Sequence, residues 1–298
     1  MDNRTSIFQS HRRRLHGIAY RMLGSPAEAE DVLQDAWLRW NESDTGNLRS
    51  AEAWLVTVVT RLAIDRLRAL RSERESYTGF WLPEPLVELA SESPEQQLEL
   101  ADQVSVAFLA VLEQLAPEER AAFLLRQVFD ADYADVALAL GKSEAACRQL
   151  VHRAAERLRA GKPRFAVSRD RHLALLRAFA EAAGSGDLLR IKALLADDAE
   201  LVSDGGGKVN SFGKVLRGSQ RLAQLYFAIS RRSGAAMRLV LVDVNGLPGL
   251  ARFIDGALES IQSFETDGER ILSIHTQRNP DKLARATALW PQAGTPPA

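Results

Sequence analysis

The side chains best suited to chemistry here form a basic and polar stripe near the middle of the chain, not a catalytic pair. Arg148, Gln149, His152, Arg153 and Arg157 follow Ser143 at spacings that place them on the outer face of a helix. Cys147, Leu150, Ala154 and Leu158 recur on the inner face. Arg and Gln carry planar donors and acceptors that match base edges and phosphates in a DNA major groove. Ser143 is placed to cap this helix, and Gly141 supplies the backbone freedom for a sharp corner before it. Upstream, Val136, Ala137 and Leu140 give a shorter helix one apolar face, and the small Ala137 lets the two helices cross closely. The stretch from Asp132 to Arg159 therefore predicts a helix-turn-helix. A helical hairpin with a solvated basic face would read the same way, so the flanking chain has to decide.

Composition narrows the choices. At 298 residues the chain favours two or three domains, and 46% hydrophobic with 26% charged residues is ordinary for a soluble globular protein. No apolar run approaches the ~20 residues of a membrane helix. The opening MDNRTSIFQSHRRRL lacks the apolar centre of a secretory signal, so a cytoplasmic protein with no membrane partner is expected. The single cysteine excludes an intramolecular disulfide. The five histidines do not make a metal site, since His11 and His16 lie roughly 140° apart around a helix and the rest are isolated. No metal or cofactor is expected. A formal charge of −1 argues against holding DNA by charge alone, so a DNA-reading chain of this kind needs a partner.

Residues 1–42 read as two helices. Phe8, Leu15, Ile18, Ala19 and Met22 form the first stripe, and Gly24, Ser25 and Pro26 interrupt it. The second helix buries Val32, Leu33, Ala36, Trp37 and Trp40 and exposes Glu30, Asp31, Gln34 and Asp35. After a polar loop, a third helix from Ala51 is apolar around Trp54, Leu55, Val58 and Val59. It then turns basic through Arg61, Arg66, Arg68, Arg71 and Arg74. From Ser76 the prolines and glycine mark a linker, yet Phe80, Trp81 and Leu82 exposed together would be costly and are expected to dock on something.

These segments, AYRMLGSPAEAEDVLQDAWLRW and AWLVTVVTRLAIDRLRALRSER followed by the helix-turn-helix, resemble bacterial RNA polymerase sigma factors of the extracytoplasmic-function group. The resemblance covers roughly residues 5–162, and Leu115, Pro117, Glu118, Glu119 and Arg120 match the LxPEER entry of the second sigma domain. It implies core RNA polymerase (beta and beta-prime subunits) and promoter DNA as partners. Glu30, Asp31, Gln34 and Asp35 would then meet polymerase. Asn47, Arg49, Ser50, Arg61, Asp65, Arg68 and Arg71 would meet the −10 element. Ser143, Arg148, Gln149, His152, Arg153 and Arg157 would meet the −35 element. The near-zero net charge fits a DNA reader tethered by polymerase.

A third region begins near Arg169 with two helices divided by Gly184, Ser185 and Gly186, then AELVSD as a strand and a helix from Gly218. Strands are expected at Met237–Val244, Gly249–Ala257, Leu258–Glu265 and Arg270–Gln277, with hairpin signals at Asn245–Gly246 and Asp267–Gly268. This predicts an α+β domain with a curved antiparallel sheet, similar to the SnoaL-like cone. The loop Asp204, Gly205, Gly206, Gly207 and Lys208 is not a Walker loop, because Val209 stands where Ser or Thr would hold magnesium. Together with WLPEPL and RNPDKL it resembles the sigma-factor group with a fused SnoaL-like extension that acts as a regulator. The expected fold is thus two all-α sigma domains followed by an α+β cone. The boundaries are 1–75 for region 2, 76–100 for the linker, 101–165 for region 4, 166–290 for the cone and 291–298 for a tail.

Three functions follow for testing. The favoured one is an alternative sigma factor with no catalytic residues. Its regulatory contact would run between Phe80, Trp81, Leu82, Pro83, Glu84 and Pro85 and the 204–208 loop, with a small-molecule ligand possible in the cone. The second is a ligand-sensing helix-turn-helix regulator that binds an operator unaided. The third is a SnoaL-like isomerase, cyclase or hydrolase, for which Asp243, Asp255, Glu259 and His275 are the candidate acid–base groups.

Overall fold

The computed structural model describes residues 3–43, 50–89, 104–159 and 167–290, and the chain divides into two compact units. One comprises Met1–Ser76 with Leu109–Pro163, the other Tyr77–Phe108 with Arg164–Ala298.

The described part of the first unit is helical. α1 (Asn3–Leu23) and α2 (Pro26–Glu42) part at Gly24, whose φ is 68°, with Pro26 opening the second helix. α3 (Ala51–Glu75) packs across both. The helical rows Leu15, Ile18 and Met22, then Val32, Leu33 and Trp40, then Leu55, Val59 and Ala63 are all buried. Full burial stabilises a large aliphatic side chain by about 1.5–3 kcal/mol. Exposed ion pairs such as Arg12–Glu30 contribute about 0–1 kcal/mol each, so the apolar rows hold the bundle.

α4 (Val106–Leu112) carries the division between the units, and α5 (Pro117–Gln127) starts at a proline. α6 (Tyr133–Leu140) and α7 (Glu144–Arg159) form the helix-turn-helix. The Asp132 carboxylate caps α6 by accepting from the Asp135 amide at 2.8 Å. α6 ends at Gly141 in the left-handed region (φ 63°), where the Lys142 amide donates back to the Ala137 carbonyl at 3.1 Å. Ser143 Oγ then accepts from the Ala146 amide at 3.3 Å and opens α7. Cys147, Leu150, Val151 and Ala154 are buried in the seam between α7 and α5, with Ala121, Leu124 and Leu125.

The second unit is built on one seven-stranded sheet. β1 (Val87–Leu89), β2 (Leu195–Asp204), β3 (Leu216–Arg217), β4 (Met237–Val244), β5 (Leu247–Ile254), β6 (Ala257–Thr266) and β7 (Ile271–Gln277) lie in the order β1-β4-β5-β6-β7-β2-β3. The sheet is mixed: β2 pairs parallel with β7 and all other pairings are antiparallel, which corrects the expected antiparallel sheet. The parallel pairing follows from chain order, because β2 comes before the meander and joins its last strand. A hairpin at Asp255 (φ 50°) and Gly256 (φ 79°) separates β5 from β6, so the boundary falls before Ala257 and not, as expected, between Ala257 and Leu258.

α8 (Arg169–Ser185), α9 (Leu188–Ala193) and α10 (Ser219–Ser233) cover one face, with Phe179 edge-on to Tyr226 at 4.9 Å and to Phe264 at 5.6 Å. α11 (Pro280–Thr287) and Val106 pack on the opposite face with Val242, Val244, Phe253 and Ile261. Strand alternation sorts the side chains: Leu250 joins the first core, while Ala251 and Phe253 join the second.

Candidate functional site

The outer face of α7 presents the predicted base-reading residues. Arg148, Gln149, His152, Arg153 and Arg157 are all exposed, and so is Ser143 before them. Arg148 pairs with Glu144 at 3.2 Å and lies 5.3 Å over the Tyr133 ring, while His152 Nδ1 is 3.5 Å from Glu156. Arg153 and Arg157 reach the buried Glu119 of α5 at 3.3 and 2.5 Å. Glu119 also accepts from the Ala116 amide, so one carboxylate of the LxPEER segment ties the start of α5 to the end of α7. Arg120 of the same segment is buried and donates to the Met22 carbonyl and to Glu113, both at 2.7 Å.

In the α1–α3 bundle, Asp31, Gln34 and Asp35 are exposed on α2, and Glu30 is half-buried beside Arg12 and His16. Asn47 and Arg49 lie outside the described residues, and Ser50 is exposed at the start of α3. The basic half of α3 is engaged within the unit. Arg61 donates to the carbonyls of Leu138 (2.8 Å) and Ala139 (2.9 Å), the C-terminal end of α6. Arg68 pairs with Asp65 at 3.2 Å and with Glu118 at 2.9 Å, and Glu118 also meets Lys142 at 3.1 Å. Arg71 pairs with Glu75 along the helix at 2.8 Å.

In the second unit the linker segment and the Gly-rich loop come together. Asp204, fully buried, accepts from Tyr77 Oη at 2.6 Å, the Leu82 amide at 2.9 Å, the Gly206 amide at 2.9 Å and Lys282 Nζ at 2.7 Å. Lys282 Nζ also donates to the Leu82 carbonyl at 2.7 Å and sits 4.1 Å from the Trp81 ring centroid and 4.9 Å from that of Tyr77. Asn279 donates to Tyr77 Oη at 2.8 Å, and Gln277 Nε2 faces the carbonyls of Leu82 and Pro83 at 3.4 Å. Burial first, then the hydrogen bond to Asp204, push the Tyr77 phenol well above its ordinary range, so it stays a donor. Leu82, Pro83 and Pro85 are buried, and Phe80, Trp81 and Glu84 are half-buried.

The segment continues as β1 on the edge of β4, with Val87 opposite Val244. At Gly206 (φ 62°) a side chain would be strained, and its Cβ would stand 2.4 Å from the Asn279 amide nitrogen. Lys208 is exposed and pairs with Asp281 at 2.5 Å. Tyr77 and Gln277 were not singled out in the sequence. Asn279 and Lys282 were visible only as part of RNPDKL.

The α10 side of the sheet encloses a cavity of about 980 Å³ whose lining includes Leu201, Leu225, Ile229, Tyr226, Thr276 and Phe212. β6 carries a bulge there: Arg252 pairs with Ser260 and Phe253 with Leu258, leaving Glu259 as the extra residue and turning it inward. Glu259 lies between two guanidiniums, accepting from Arg252 Nε at 2.7 Å and Arg278 Nε at 2.6 Å. Burial alone would raise its pKa, but the two arginines outweigh that and hold the carboxyl below its usual value. The other candidate acid–base groups are dispersed. Asp243 is buried against Arg169, Asp255 sits exposed on its hairpin, and burial lowers the His275 pKa to about 4.

Comparison with known proteins agrees with this architecture. Sigma-70 region 2 matches residues 7–73 and Sigma-70, region 4 matches residues 105–158. The chain is 36% identical over 290 residues to the ECF RNA polymerase sigma factor SigJ of Mycobacterium tuberculosis, covering 93% of this chain and 92% of that one. It is 30% identical over 284 residues to the probable ECF RNA polymerase sigma factor SigI of the same organism, covering 94% of each. The crystal structure of M. tuberculosis SigJ superposes with a TM-score of 0.76 at 32% identity, over 94% of this chain and 98% of that one. With two helical sigma domains followed by an α+β SnoaL-like cone, the chain belongs to the extracytoplasmic-function RNA polymerase sigma factors and directs promoter recognition in transcription initiation.

Proposed function

We propose that the C-terminal cone controls this sigma factor by gripping the segment that joins its two DNA-reading domains. The observation that carries the reading is the buried Asp204–Lys282 pair closed over Tyr77, Trp81 and Leu82. In this reading Asp31, Gln34, Asp35 and Glu30 dock on polymerase, Ser50, Arg61, Asp65, Arg68 and Arg71 meet the −10 element, and Ser143, Arg148, Gln149, His152, Arg153 and Arg157 meet the −35 element. The protein works in the cytoplasm, where polymerase is. Among the described residues no helix is long and apolar enough to cross a membrane, which is compatible with that location.

The cone holds a small molecule and does not turn it over. Glu259 is kept ionised by two guanidiniums, which makes it a poor proton donor and a weak base. His275 alternates with cavity-lining Thr276 along β7 and so lies on the far face of the sheet.

Run-off transcription with purified core polymerase tests the control. Full-length protein, a chain ending at residue 165 and the full-length Trp81→Ala variant are compared on one promoter. Initiation is expected from the full chain, with output altered in the other two. Equal output from all three would remove any controlling role for the cone.

A further inference from the structure

We infer that the cone cavity is a binding site for an amphipathic organic anion, a carboxylate or comparable acid group on an apolar body. This rests on the reading of the cone as a ligand-holding control domain and specifies the ligand. Arg252 is 5% exposed and Arg278 is half-buried, yet Glu259 is the one carboxylate placed between them. A single carboxylate neutralises a single guanidinium. Arg278 makes up part of the difference with the Asn210 carbonyl, a dipole and not a charge. The wall therefore keeps an excess positive charge in a place where desolvation makes an unneutralised charge costly. Arg232 and Asp255 add one charge of each sign to the lining, and Lys208 is occupied by Asp281, so the excess positive charge stands.

A second observation points the same way. Thr276, 4% exposed, lines the cavity beside Arg278, and its Oγ1 is buried with no hydrogen-bond partner. A bound acid group provides both the missing charge and the missing acceptor. Leu201, Leu225, Ile229, Phe212 and Ile254 make an apolar stretch of the lining beside polar residues such as Ser203 and Ser211, and that stretch suits a hydrocarbon body better than an inorganic ion.

The position of the site also links it to the linker. Thr276 and Arg278 face the cavity, while their neighbours Gln277 and Asn279 hold Leu82 and Tyr77 on the other face. Ser203 and Asp204 divide in the same way on the paired strand β2. An anion that draws Arg278 away from Glu259 pulls on the residue bonded to Tyr77.

Calorimetric titration of the full-length protein with decanoate, decanol and inorganic phosphate tests the inference. Decanoate is expected to bind at least tenfold more tightly than decanol or phosphate. Arg278→Gln should weaken decanoate at least tenfold, and Glu259→Gln, which removes the competing carboxylate, should tighten it several-fold. Equal binding of decanol and decanoate would overturn the anion requirement while leaving a small-molecule site in place. Decanoate binding unchanged in Arg278→Gln would overturn the location. No binding of decanoate or decanol to the wild-type chain would overturn the ligand class, and the transcription comparison would still decide whether the cone controls initiation.

Discussion

Asp204 holds the linker directly, through Tyr77 Oη and the Leu82 amide, and indirectly through Lys282. Its carboxylate is fully buried and satisfied by a phenol, two backbone amides and an ammonium. Asp204→Asn keeps the shape but leaves the Lys282 ammonium, itself half-buried, without its counter-charge. Breaking one partner of a buried pair costs about 3–5 kcal/mol. Native-state amide exchange should therefore show the Leu82 amide losing protection by about two to three orders of magnitude, with the Phe179–Tyr226 core unaffected. Wild-type protection at Leu82 in this variant would mean that the carboxylate is not what holds the linker. The sequence exposed only half of this site. The apolar run Phe80–Leu82 implied a contact, because exposed aromatics need a reason, whereas the glycines after Asp204 read by themselves as a hairpin tip and were joined to the linker only by the resemblance. Gln277 gave no local signal, since a polar residue at a strand end is usually solvated. Arg252 in GLARFI did carry one, a charge in an apolar strand.

At the scale of elements, the basic half of α3 lies against the helix-turn-helix. Arg61 caps the carbonyl end of α6, and Glu118 bridges Arg68 and Lys142. The −10 and −35 elements are about 25 base pairs apart, or about 85 Å of duplex at about 3.4 Å per pair. On the proposed assignment, helices in hydrogen-bonding contact cannot read both at once, so this would be a closed arrangement that parts on the promoter. The exposed pairs holding it are weak, about 0.2–1 kcal/mol each. Glu118→Lys replaces two attractions with two repulsions and leaves the predicted DNA-reading residues intact. It should shift the closed state toward open several-fold, seen as reduced energy transfer between dyes on α1 and α7 and as higher promoter output. Unchanged energy transfer would mean that apolar packing alone keeps the helices together. The helices themselves were legible because their apolar rows, caps and breaks agree, as at Gly24–Pro26 and Asp132–Ser143. The short β1 was not, because Val87–Leu89 becomes a strand only by pairing with β4, a partner about 150 residues later.

For the whole molecule, the proposed linker is the segment that joins the two sigma domains, and the cone's sheet holds part of it. Tyr77–Leu89 runs from Asp204 to the edge of β4, and Val106, at the start of the region 4 match, is buried with Val242 and Val244. A free tether of this length would sample a broad range of end-to-end distances. A gripped one has its path from Tyr77 to Leu89 set by the sheet, which on the proposed reading narrows the separations at which both readers engage together. Each inserted base pair moves the elements about 3.4 Å apart and turns one about 35° relative to the other. Promoters with the spacer varied by one to three base pairs should therefore give the full-length protein a sharp optimum. Trp81→Ala, which removes the ring stacked on Lys282, should give a flatter profile with several-fold more output at the off-optimum spacers. Profiles of the same shape for both proteins would show that the grip on the linker does not set promoter spacing, and the cone would then act on initiation by another route.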